Sequence, residues 1–194
     1  SKNFIIKKII SFEASPINFE YLKKKIDENK QEYNNTEIVL ENIALGAENK
    51  IIEFNQFNES SSSTIKEIDK ESKYYKRKFR LINFLNNKET YQKIKIKISK
   101  LKDYIEKNNI KKIDFIKIDT EGYEFEILLG LENKIKLVDI IMFEHHYDSM
   151  IKKGYTFENI NKLLIKNNFN KIYKSRMPFR KTFEYIYKRE ESIN

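Results

Sequence analysis

Cysteine and tryptophan are absent from the 194-residue chain, glycine occurs four times and proline twice. Without cysteine there is no disulfide scaffold, no thiolate metal site and no cysteine nucleophile. The glycines, Gly46, Gly122, Gly130 and Gly154, are too scattered to form a G-x-G-x-x-G turn or a P-loop phosphate cradle. No run approaches the roughly 18 apolar residues of a membrane-spanning helix. Ser1-Lys2-Asn3 leads into no signal-peptide pattern. A cytoplasmic location without a membrane span is the expectation. Arginine is scarce too, at positions 77, 80, 176, 180 and 189 only.

What is present is lysine, aromatic residues and short apolar runs. Lys and Arg number 38 against 29 Asp and Glu, a net charge of +9 that raises nucleic acid or an anionic membrane as partners. The composition weakens that reading, because lysine lacks the planar fork that reads guanine or clamps phosphate. The lysines also spread along the whole chain, with Lys73 to Arg80 (KYYKRKFR) as the best local cluster. No nucleic acid partner is expected; a lysine-rich binding module remains the rival from another class. With 40% apolar and 13% aromatic residues the chain reads as globular, and its length fits a single domain, residues 1–194, with 58–80 as a variable loop.

Short apolar runs alternate with helical spacing. Ile9 to Glu13 reads as a strand, and Ser15-Pro16 as the cap and first position of a helix carrying Phe19, Leu22 and Ile26. Glu37 to Glu41 and Lys50 to Phe57 read as strands joined by a hairpin or crossover. Lys93 to Ser99 (KIKIKIS) alternates strictly and puts Ile94, Ile96 and Ile98 on one face. A helix from Leu101 to about Asn108 follows, then a strand from Ile113 to Asp119. Thr120 caps a predicted helix from Glu121 to about Leu131. Val138 to Glu144 is the next strand. Thr156 caps a helix with Ile160, Leu163 and Leu164 inside, and Phe169 to Tyr173 and Thr182 to Tyr187 close as antiparallel strands. This order predicts an α/β fold with a mainly parallel sheet covered by helices on both faces.

Four of the strand runs end in a carboxylate, at Glu13, Glu41, Asp119 and Glu144. In open α/β sheets ligands bind outside the carboxyl ends of the strands. Asp119-Thr120-Glu121-Gly122-Tyr123-Glu124 places a strand-end acid beside a helix start. Its carboxylates could hold a cation, bind an amine or hydroxyl, or deprotonate a substrate, or could simply charge the helix N-terminus. Glu144-His145-His146-Tyr147-Asp148 is the one histidine cluster and suits either a general base or, as a third reading, metal ligands through Glu144, His145 and Asp148. Adjacent residues point apart, so no metal is expected. Glu13 is the kind of acid that grips ribose hydroxyls.

Ser11-Phe12-Glu13-Ala14-Ser15-Pro16, Glu41-Asn42-Ile43-Ala44-Leu45-Gly46, Leu101-Lys102-Asp103-Tyr104-Ile105, Asp114 to Glu124 (DFIKIDTEGYE) and Phe143-Glu144 together resemble the FkbM-type methyltransferases, from about Ile9 to His146. The Ile-Lys-Ile-Asp-x-Glu-Gly-x-Glu stretch is the most specific part. The resemblance implies the class I methyltransferase fold, a Rossmann-like sheet, with S-adenosyl-L-methionine as cofactor and a hydroxyl on a sugar or other small metabolite as acceptor. By position, Glu13 corresponds to the ribose acid, Asn42 and Ala44 to the turn lining the adenine, and Asp119 and Glu121 to residues facing the methionine end and the acceptor. His145 is a further candidate base or acceptor contact, and Ser61 and Ser62 fall in a serine-containing segment of unassigned role. Family members begin with a strand and an Asp-x-Gly-x-x-x-Gly-like loop that has no counterpart before Ser11. The chain is therefore expected to be a piece of a longer protein or a degenerate copy, and to hold S-adenosylhomocysteine weakly or not at all.

Overall fold

Two parallel strands open the chain. The structure, a computed structural model, describes residues 5–57, 91–120, 122–147, 153–178 and 181–190. β1 (Lys8–Phe12) and β2 (Glu37–Glu41) pair in parallel with Ile10 opposite Val39. Between them lies α1 (Pro16–Glu28), which begins as its sequence dictates. The Ser15 hydroxyl accepts from the Asn18 N–H at 3.3 Å, and Pro16 takes the first helical position, where no backbone donor is needed.

The second sheet is built around β5 (Tyr91–Ser99), with β3 (Ala44–Leu45) parallel on one side and β4 (Lys50–Phe57) antiparallel on the other. β3 and β4 thus flank β5 and do not form a hairpin with each other. Alternation in β5 works as expected: Ile96 and Ile98 are buried while Lys93, Lys95 and Lys97 face outward. α2 (Leu101–Lys107) follows and buries Leu101 and Ile105.

The C-terminal half forms a four-stranded sheet in the order β6-β7-β9-β8. β6 (Ile113–Ile118) and β7 (Val138–His146) are parallel, and β9 (Thr182–Arg189) runs antiparallel to both β7 and β8 (Phe169–Arg176). α3 (Glu124–Leu129) links β6 to β7 and α4 (Phe157–Lys166) links β7 to β8. The expected antiparallel closing strands are present. The class is mixed α/β, with the strands divided among three hydrogen-bonded sheets within the described residues.

One face of β7 and β9 makes the core. Phe143 stacks on Tyr185 at 5.4 Å and on Tyr187 at 5.8 Å, and Phe157 of α4 stacks on Tyr185 at 4.4 Å. Ile160 and Leu164 of α4 are fully buried, as the spacing predicts, and the Thr156 N–H donates to Asn159 Oδ1 at 2.8 Å to start that helix. Each such side chain removed from water contributes about 1.5–3 kcal/mol.

Two glycines are needed for a close approach. A Cβ on Gly130, at the end of α3, would lie 2.1 Å from the Gly46 carbonyl oxygen, and one on Gly46 would lie 2.8 Å from Ile98 Cγ2. The turn after β3 and the end of α3 therefore meet backbone to backbone. Among the described residues no helix is long and apolar enough to cross a membrane.

Candidate functional site

The strand-end acids fall into two groups. At the end of β1, the Glu13 N–H donates to the Glu41 carbonyl at 3.0 Å, which extends the parallel ladder by one residue. Glu13 Oε1 accepts from the Ser15 N–H at 2.8 Å, in the turn that starts α1, and the Asn18 side chain also donates to this carboxylate. Burial pushes the Glu13 carboxyl above its ordinary range, and these hydrogen bonds oppose the shift. Asn42 Nδ2 donates to the Glu13 carbonyl at 2.8 Å, so the first two predicted cofactor residues do meet. Asn42 is exposed, whereas Ala44 puts its methyl in the core from β3. The Ser15 hydroxyl donates to Gln56 Oε1 at 3.1 Å and anchors this corner to β4.

At the ends of β6 and β7 a second group assembles. Ile118 is opposite Phe143, which places Asp119 beside Glu144, and Glu144 is opposite Glu184 on β9. Asp119 is exposed and accepts from Lys117 Nζ at 3.1 Å. Glu144 is buried, and its carboxyl is raised first by that burial and then by the Asp119 charge, with His146 and Lys117 opposing. A protonatable carboxyl next to an exposed one suits binding a hydroxyl and handling its proton. The expected strand end at Glu144 does not hold, because pairing with β9 carries β7 on to His146, and the place of Glu144 beside Asp119 depends on register.

Alternation along β7 separates the histidines. His146 shares a face with Glu144, and its Nδ1 lies 2.9 Å from the Thr182 hydroxyl. His145 points to the opposite face, boxed by the rings of Tyr147 at 4.8 Å, Tyr155 at 5.9 Å and Phe157 at 5.9 Å. Burial, and then the nearby Lys153 charge, lower it to about 4, and its buried Nδ1 has no hydrogen-bond partner. An imidazole held neutral in this way is a weak base for a substrate hydroxyl. Glu144 and His145, two of the three residues read as possible metal ligands, thus face apart. Among the described residues no group of three His, Cys, Asp or Glu could hold a metal ion.

The turn after β6 departs from expectation. α3 begins at Glu124 rather than Glu121, Tyr123 occupies its N-cap position, and Thr120 does not cap it. Gly122 adopts φ 96°, a left-handed conformation that glycine accepts without strain. Glu124, which reads as an ordinary acid of the first helical turn, is instead fully buried. It accepts from the Gly122 N–H at 2.9 Å, from the Thr120 hydroxyl at 3.4 Å and from the Tyr155 hydroxyl. No local pattern could reveal this, because Tyr155 is 31 residues away. Glu121, Asp148, Ser61, Ser62 and the whole 58–80 stretch lie outside the described residues.

No curated protein sequence matches the chain, and no solved structure matches it. The family model described as the methyltransferase FkbM domain matches residues 2–173, most of the chain, including Glu13, Asp119 and Glu144. Over that match, this chain belongs to the FkbM methyltransferase family.

Proposed function

We propose that the chain is an S-adenosyl-L-methionine-dependent methyltransferase domain that methylates a hydroxyl on a sugar or other small metabolite. The observation that carries this reading is Glu13. Its half-buried carboxylate is held at the end of a parallel strand by the first turn of α1, with Asn42 tied to its own carbonyl. The donor set fits the cofactor: a carboxylate accepts from both hydroxyls of a ribose, and Asp119 and Glu144 suit a cationic sulfonium. When bound, the cofactor supplies an electrophilic methyl group.

The residues divide the work. Glu13 would hold the ribose, and Asn42 would line the adenine with Ala44 behind it. Asp119 and Glu121 would orient the acceptor hydroxyl, and Asp119 would take its proton, with Glu144 alongside. Such a positioned base is worth about 10²–10⁴ in rate. His145 fits a role at the acceptor wall better than that of a base. The reading includes a Rossmann-like arrangement in which the β1–β2 pair and the β6–β7–β9–β8 sheet are parts of one class I methyltransferase sheet. Its support is the parallel pairing within each and the antiparallel β9 beside β7.

Titration calorimetry with S-adenosylhomocysteine tests the proposal. Binding weaker than about 1 μM is expected. A further loss of about tenfold is expected in Glu13→Ala, because a hydrogen-bonded charged group is removed. Equal affinity in Glu13→Ala would remove the ribose from Glu13, and no binding at millimolar ligand would remove the cofactor altogether.

A further inference from the structure

Glu124 is the most completely enclosed charged side chain among the described residues, with 0% exposure. A buried carboxylate is costly unless donors surround it, and an acid that merely charges a helix start can do so from the surface. Its donors come from two separate stretches. Oε1 holds the turn leaving β6, through the Gly122 N–H at 2.9 Å and the Thr120 hydroxyl at 3.4 Å. Oε2 holds the Tyr155 hydroxyl, just ahead of α4. The Tyr155 ring packs against Phe125 at 5.3 Å and His145 at 5.9 Å, so the phenol is aimed by its surroundings. Burial, and then the Glu124 charge, push the phenol far above its ordinary range, and it remains a donor.

We propose that Glu124 and Tyr155 form a latch that positions Thr120 and Gly122, and through Thr120 the place of the adjacent Asp119 beside Glu144. One carboxylate oxygen takes the turn and the other takes the start of α4, so neither can shift without leaving a buried charge short of a donor. Glu124 and Tyr155 are positioning residues here. The consequence for ligand binding rests on the function proposed above; the latch itself does not.

Native-state hydrogen exchange on the full chain tests it, with Tyr155→Phe and Glu124→Gln. In either variant the Gly122 amide is expected to exchange at least about tenfold faster relative to the Ile141 amide of β7, which reports global opening. Equal acceleration at Gly122 and Ile141 would make the pair ordinary stabilisers of the fold, and no change at Gly122 would mean that the turn holds itself. Either result overturns the latch. Should Glu124→Gln fail to fold, Tyr155→Phe decides alone, since it removes one oxygen and keeps the ring contacts. Affinity for S-adenosylhomocysteine is expected to fall about tenfold in Tyr155→Phe. Unchanged affinity in a variant with accelerated Gly122 exchange overturns the positioning role. Absence of binding in the wild-type chain would instead strike the cofactor reading and leave the exchange result to judge the latch.

Discussion

The β1–α1–β2 unit and the β6–β9 sheet are built from equally apolar runs, yet they bury them very differently. In β1, α1 and β2 no residue is fully buried, and Ile9, Ile17 and Tyr21 are exposed. In β7, Val138, Ile141 and Phe143 reach 0% exposure, with Tyr187 of β9 and Phe169 of β8 alongside. Apolar content is the same kind of signal in both regions; the number of neighbouring layers is not. β7 has a strand on either side and α4 over one face, whereas β1 pairs with β2 alone among the described residues. A two-stranded unit has little independent stability. Glu13, the residue proposed to hold the ribose, therefore stands on the thinly packed part of the molecule, and the Asp119–Glu144 pair on the thickly packed part.

Truncating the stacked core should break this contrast most directly. Phe143→Ala is expected to cost about 3–5 kcal/mol, against about 1 kcal/mol for the half-buried Ile10→Ala. Urea unfolding of both variants checks it, and similar costs would erase the difference between the two regions. The next largest effect concerns His145, lowered from 6.5 to about 4 in the folded chain. The unfolded state binds the extra proton between those values, so this group makes stability rise with pH from about 4 to 6.5 and level off above. The gain is on the order of 3 kcal/mol. Glu13 and Glu144, raised by burial, act in the opposite sense, removing stability as pH climbs from 4.5 through their folded values. His145→Phe should therefore flatten the rise, measured as the difference between unfolding at pH 4.5 and pH 7; an unchanged slope would place the proton uptake elsewhere.

Gly130→Ala probes the junction of α3, in the thickly packed half, with the turn after β3, since its Cβ would meet the Gly46 carbonyl. Overpacking of about 1–3 kcal/mol is expected, with faster exchange in β3 as well as in α3. A loss confined to α3 would show that the turn yields freely. Smallest of all is the exposed Lys8–Glu37 pair across β1 and β2, at 2.6 Å. Lys8→Met should change the free energy of urea unfolding by no more than about 0.5 kcal/mol; a larger loss would show that this thin sheet leans on its surface charges.

Several features were legible residue by residue. β2 spans Glu37–Glu41 as its apolar run indicates, Ser15 and Pro16 open α1, and the lysine–isoleucine alternation of β5 sorts the two faces. Ile160 and Leu164 sit inside α4 as their spacing requires. Other features were not legible. The start of α3 at Glu124 accompanies a carboxylate bonded to a distant tyrosine, and the flanking of β5 by β3 and β4 follows from pairing choices that the short apolar runs leave open.

The sequence by itself determined the local periods, the Ser15 cap, the acids Glu13 and Asp119 just past their strands and the family, because each is written in residues a few positions apart. Tertiary structure alone decided that Glu124 is buried while Asp119 is exposed, that Glu144 and His145 look to opposite faces of one strand, and that Gly46 meets Gly130. Those outcomes depend on which donors, layers and backbones arrive from far along the chain, and a buried charge or a close approach exists only once its distant partner is in place.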